Sequence, residues 1–312
     1  MATILSALAP VFLIIALGVV LRRVLLTEPL HWVGLEKLTY FVLFPALLVV
    51  SAAKADLANV NILAVAGSLI GTVLLLSGLI VAFNRPVRRL FAADGPDFTS
   101  FYQGAVRWNT YVVLAVAGGL FGAEGITIAA LALVTLIPVV NVNAVLVLAA
   151  FAGREPPTAR YILAQLARNP YISACLVGAA LNVFHVPIPR VLLEFGDILG
   201  RASLAVGLLV VGGGLALNTI LRVKPLVLAS MTLKLVVKPV IAVGLGLLAG
   251  LSGVELVVVA IIAGVPSAPA AYVLARQMGG NATLVAEILT LQIIAAAVTL
   301  PLVVTAASAL AG

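Results

Sequence analysis

Charged side chains are scarce in this chain: Lys, Arg, Asp and Glu make up 9% of its 312 residues, against about 25% in an ordinary soluble domain. Hydrophobic residues reach 63%, and mean hydropathy is +1.27. A water-soluble core of this length cannot hide so much apolar surface, so the bilayer must serve as solvent. Cysteine is nearly absent. The single Cys175 excludes a disulfide framework and a cysteine metal site, and its apolar surroundings suit a packing thiol. Histidine occurs only as His31 and His185, which excludes the zinc motif HExxH. Walker-type phosphate loops and membrane-facing acidic pairs are missing too, so neither nucleotide hydrolysis nor metal-dependent prenyl transfer is expected. No metal or other cofactor is implied.

The formal net charge is +7. Nucleic acid is nevertheless an unsuitable partner, because the basic residues sit in short loops between apolar runs. That pattern belongs to membrane orientation and to contact with anionic headgroups of a lipid bilayer. The N-terminal run Ile4 to Leu21 lacks a basic leader and is followed by Arg22 and Arg23, so it reads as a retained first span.

Apolar runs at 3–21, 36–53, 60–83, 98–121, 125–151, 168–186, 194–218, 225–249, 254–277 and 283–309 predict ten transmembrane helices, since every backbone group in hydrocarbon needs an internal partner. The second is short, and Pro45 at its centre predicts a kink. Twelve basic residues fall in the odd loops: Arg22, Arg23, Lys37, Arg85, Arg88, Arg89, Arg154, Arg160, Arg168, Arg222, Lys224 and Arg276. Only Lys54 and Arg190 fall in the even ones. This bias predicts cytoplasmic odd loops and both termini outside. The middle loop, GREPPTAR from Gly153 to Arg160, is polar, and Tyr161 to Arg168 predicts a short interfacial helix.

The chain also matches itself at an offset of 160 residues. Gly104, Val113, Leu114, Ala115 and Gly119 fall on Gly264, Val273, Leu274, Ala275 and Gly279, while Pro10 and Gly18 fall on Pro170 and Gly178. The expected halves are therefore 1–153 and 154–312. Five helices per half is an odd number, so the second half enters the membrane inverted. The aligned fourth and ninth spans are both interrupted, at Asn109 and between Pro266 and Pro269. Paired broken helices in inverted repeats point to a secondary transporter whose site lies where the breaks meet.

Asn109 is expected to cap a half-helix opening at Thr110, and Ser267 to cap another whose first turn holds Pro269. Two helix N-termini near Arg107 would form an electropositive pocket suited to a carboxylate. Tyr272 and Tyr111 are placed to line it, although aromatics at such positions more often pack, and Asn141 is placed to touch substrate or ion. Lys234, Lys238 and Arg201 are the other basic residues inside spans, where charge is costly. Glu287 is the acid expected to pair with Arg107 or Lys238, or else to carry a proton. Asp197, four residues before Arg201, is expected to pair with it. Gly212–Gly214 reads as close helix packing or a hinge.

These pieces resemble the auxin efflux carrier family, which includes bacterial organic-acid permeases and the plant PIN carriers. The likeness rests on RWNTY from Arg107 to Tyr111, on Arg168, Asn169 and Pro170, and on Lys234 with Lys238 and Pro239. PSAPAAYVLA from Pro266 and GGNATLVA from Gly279 complete it. The resemblance implies a bile-acid sodium symporter-like all-α fold, with inverted repeats crossing at Asn109 and Pro269 and Asn141 beside them. It implies elevator-type alternation moving small organic anions, and a homodimer through the scaffold half. The compact middle loop resembles the bacterial branch, hence a cell inner membrane. The stretch Pro266 to Tyr272 lacks the acid or glutamine of sodium-coupled relatives, which leaves proton coupling or uniport ahead of sodium. An anion channel or a sodium-coupled symporter of the same fold are the alternatives. A membrane enzyme is disfavoured, because no paired acids, metal ligands or activated nucleophile are present.

Overall fold

The computed structural model describes residues 2–54, 60–152, 158, 160, 164, 167–217 and 223–312. Every regular element among these residues is helical. In chain order they are α1 (Ala2–Val24), α2 (Pro29–Leu38), α3 (Phe44–Ala53), α4 (Ile62–Ala82), α5 (Asn84–Leu90), α6 (Gly95–Val106) and α7 (Thr110–Phe151). Then follow α8 (Pro170–Val183), α9 (Arg190–Gly213), α10 (Pro225–Thr232), α11 (Lys238–Leu248), α12 (Gly253–Gly264), α13 (Ala270–Met278) and α14 (Ala282–Leu310). Among the described residues, six segments are long and apolar enough to cross a membrane: Pro29–Ala53, Ile62–Ala82, Gly95–Phe151, Arg190–Gly213, Pro225–Leu248 and Ala282–Leu310. The predicted middle loop and the interfacial helix at 161–168 lie largely outside the described residues, as do Arg154 and Arg222.

Sequence chemistry explains where the helices start and bend. Asn61, Asn109, Asn169 and Asn281 each cap a helix, their side-chain oxygens accepting first-turn N–H groups. The second span differs from expectation. It begins at Pro29 rather than near residue 36, so it is not short, and Lys37 lies inside it. Pro45 produces a π-helical turn at Thr39–Leu43 rather than a simple kink. Leu233–Val237, just before Pro239, is a π-helical turn as well. Proline has no N–H and its ring crowds the carbonyl four residues back, so one wider turn relieves the clash. Gly122, at φ 57° and ψ −134°, breaks α7 into two helices. A side chain at that conformation would be strained, which is why glycine holds the turn.

The helices sort into two groups by their packing. In one, α1 and α3 lie against α9, and α3 also lies against α8. In the other, α4, α6, α7, α11, α12 and α14 pack together. Small residues permit the closest approaches. A Cβ on Gly18 would stand 2.3 Å from Leu209 O, and one on Gly178 would stand 2.5 Å from Val49 O. Gly212 meets Ile15 O in the same way, so the glycine run of α9 is a packing seam.

Candidate functional site

The two interruptions meet. Helix α6 stops at Val106, and Arg107 turns extended at φ −68° and ψ 167°. Helix α12 stops at Gly264, and Val265 does the same at φ −67° and ψ 155°. The Asn109 N–H then donates to Pro266 O at 2.9 Å, joining one break directly to the other. Asn109 Oδ1 accepts from the N–H groups of Tyr111 and Val112 at 3.0 and 3.3 Å, so it caps α7 as its sequence position predicted.

Ser267 behaves differently from expectation. It does not cap α13, whose N-cap is Pro269 with no side-chain bond. Its hydroxyl instead donates to Gln103 O at 3.2 Å, and its N–H donates to Gln292 Oε1 at 2.9 Å. Gln292 completes the link by donating from Nε2 to Gly104 O at 3.0 Å. One buried amide in α14 thus holds the end of α6 and the break after α12. Gln292 lies inside the last apolar run, where sequence spacing gives no sign of partners on other helices.

Arg107 Nη2 donates to Asn141 Oδ1 at 2.8 Å, bringing together two of the predicted residues. Its Nη1, together with Asn109 Nδ2 and both amide atoms of Gln103, is buried and has no hydrogen-bond partner among the described residues. Native interiors satisfy most such groups, so a cluster of orphans asks for an explanation. Gln103 escaped the sequence reading. It stands four residues before Arg107 on the same helical face, and that spacing was the available signal.

The buried lysines bond to the backbone. Lys238 Nζ donates to Val106 O at 2.5 Å, and Lys234 Nζ to Ala263 O at 2.8 Å. These carbonyls close α6 and α12, where intrahelical donors run out and the negative end of each helix lies. A single span therefore supplies one cation to each half-helix terminus. Glu287 is not their partner: its Oε1 accepts from Lys224 Nζ at 3.1 Å. Nor does Asp197 pair with Arg201, because its Oδ2 lies 2.7 Å from Lys54 Nζ.

Pro269 and Tyr272 face elsewhere. They line a cavity of about 780 Å³, whose opposite wall carries Arg22, Arg23, Trp32, Glu36 and Gly212–Gly214. Arg22 Nη1 donates to Gly213 O at its edge. Arg107, Asn109, Asn141 and Ser267 do not line this space. Tyr111 stacks on Phe44 at 4.7 Å between ring centres, and its hydroxyl accepts from Tyr171 at 3.3 Å, so it packs rather than lines a pocket. Thr110 is partly exposed beside it.

Long apolar helices, a pair of broken ones joined at their interruptions and buried polar groups at the junction define a multi-pass helical membrane protein built to handle a polar solute. A family model described as membrane transport protein matches residues 146–304, and the chain belongs to that family, in keeping with its auxin efflux carrier likeness. The family is one of transporters rather than of enzymes. No curated protein matches the chain.

Proposed function

We propose that the chain is a secondary active transporter that moves small organic anions, chiefly carboxylates, across the cytoplasmic membrane by elevator-type alternating access. In this reading ten helices form two inverted repeats, 1–153 and 154–312, with odd loops in the cytoplasm and both termini outside. The observation that carries it is a pair of buried donors without a partner among the described residues, Arg107 Nη1 and Asn109 Nδ2, at the junction of two broken helices. A carboxylate accepts from such donors and would be held beside the positive end of α7. Asn141 orients the guanidinium. Thr110, Ser267, Pro269 and Tyr272 contribute to the path on either side of the junction.

The two helix groups supply the moving parts, with α1, α3, α8 and α9 as scaffold and dimer interface. Lys234 and Lys238 travel with the half-helices that they hold. Glu287, paired with Lys224, is the carboxylate we assign to proton coupling. A channel is disfavoured by the Phe44–Tyr111 stack, which packs against Gly207 of α9, because a channel needs a continuous wet path.

The test is uptake into proteoliposomes after a thermal-shift screen of mono- and dicarboxylates across pH and with or without sodium. Arg107→Ala should cut saturable uptake of the anion that stabilises the protein most by at least about a hundredfold, the effect of losing a charged hydrogen bond of roughly 3 kcal/mol. Unchanged uptake by a correctly folded variant would remove the guanidinium from the site.

A further inference from the structure

A second cavity, of about 620 Å³, lies against the middle of α9, nearer its N-terminus than the one that Pro269 lines. Its walls include Ser51 of α3 and Lys54 just after it, Thr127 of α7, and Asp197 and Arg201 of α9. Arg201 is the twelfth of the 24 residues of α9, so it lies about 17 Å of helix rise from either end. A cation halfway along a spanning helix is costly unless it faces a partner or water. The acid best placed to neutralise it, Asp197, is taken by Lys54 at 2.7 Å. Arg201 is exposed and has no ion pair among the described residues. Two cations and one acid leave the cavity with a net positive charge.

We propose that this cavity is a second anion site, with Arg201 as its carboxylate-binding side chain and Lys54 as the residue that keeps Asp197 away from it. Along α9 the two cavities approach within six residues, Leu204 to Val210, or about 9 Å of helix rise. Gly207 lies between them, where the Phe44 and Tyr111 rings close on α9. An anion released from the junction toward this face would meet Arg201 next. The inference depends on the anion-carrier reading only for the nature of its ligand. The guanidinium offers two parallel donors to a carboxylate, a geometry that chloride cannot exploit.

Replacing the lone cysteine makes a thiol-free background, Cys175→Ala, in which Ser51→Cys puts one thiol on the cavity wall. In nanodiscs both faces are accessible, so anionic and cationic methanethiosulfonates can be compared directly. The anionic reagent should react faster, and Arg201→Gln should lower the anionic-to-cationic rate ratio by about tenfold, as expected when one charge several ångströms away is removed. Acetate, malonate or malate should slow the reaction where Arg201 is present and not in Arg201→Gln, while chloride should not. Lys54→Gln should mimic Arg201→Gln by freeing Asp197, and adding Asp197→Asn should restore the ratio. Thr127→Cys gives the same readout should Ser51→Cys fail to fold. The assignment is overturned if Arg201→Gln leaves the ratio unaltered, if no carboxylate protects, or if Asp197→Asn fails to restore it. Thiol reactivity does not depend on transport, so lost uptake with an intact ratio would sink the carrier reading alone.

Discussion

At the crossing, a few side chains each make bonds that hold two backbone segments. Gln292 accepts from Ser267 and donates to Gly104 O, reaching back 25 residues along the chain for one bond and 188 for the other. Gln292→Leu keeps the shape and strands one buried N–H and one carbonyl, at about 1–3 kcal/mol for each orphan. A drop in melting temperature measured by tryptophan fluorescence is expected, and a melting curve matching the parent would show that the amide is dispensable. Lys238→Met strands Val106 O at the end of α6 in the same manner. Hydrogen bonds to charged groups contribute about 1.5–3 kcal/mol, so stability should again fall. Removing a buried charge can also stabilise a protein, and a rise in melting temperature would mean that desolvation outweighs the capping bond. Arg107 differs from both, because one of its nitrogens is unpartnered among the described residues. Its replacement should harm uptake more than stability.

Helices in this chain are shaped by where they are interrupted. Each π-helical turn ends two residues before a proline, and the one at Leu233–Val237 includes Lys234 and ends beside Lys238. The wider turn lets two lysines of one span serve carbonyls on two different helices. The Gly122 turn does comparable work between the two parts of α7. Gly122→Ala would force a Cβ into a conformation that L-residues rarely adopt, costing about 1–3 kcal/mol. Nothing lies within 4 Å of the added Cβ, so the penalty would be conformational rather than steric. Reduced yield of folded protein on size-exclusion chromatography is the expected outcome, and full yield would indicate that the turn can relax.

Over the whole molecule, two helix groups meet along α9, with one cavity at its C-terminal end, another against its middle and aromatic rings between. Tyr111 belongs to the group that holds the junction, whereas Phe44 and Tyr171 belong to the other. The alternating access proposed above would require this seam to slide. A Cβ at Gly207 would stand 3.0 Å from Phe44 Cε2 and 3.2 Å from Tyr111 Cγ. Gly207→Val should therefore jam the groups, with overpacking of about 1–3 kcal/mol. Saturable uptake should be nearly lost while anion-induced thermal stabilisation persists. Retained uptake would place the moving boundary elsewhere.

Composition determined that the chain lives in lipid, and the runs of apolar residues located the helices to within a few positions at most ends. Asn109 announced its break because capping is local: the oxygen and the N–H groups it accepts are two and three residues apart. Pro266 and Pro269 announced theirs for the same reason, through a missing donor and a fixed φ. The partners of Ser267, Lys234, Lys238, Asp197 and Gln292 were not legible, since each lies in a different helix and sequence spacing carries no distance between helices. Expected local pairs gave way there. Asp197 had Arg201 one turn away and took Lys54, and Ser267 had a helix to cap and took a carbonyl instead. In hydrocarbon an unpaired carbonyl is costly, and so is an ion that faces neither a partner nor water, so packing, rather than proximity along the chain, decided which groups satisfied each other.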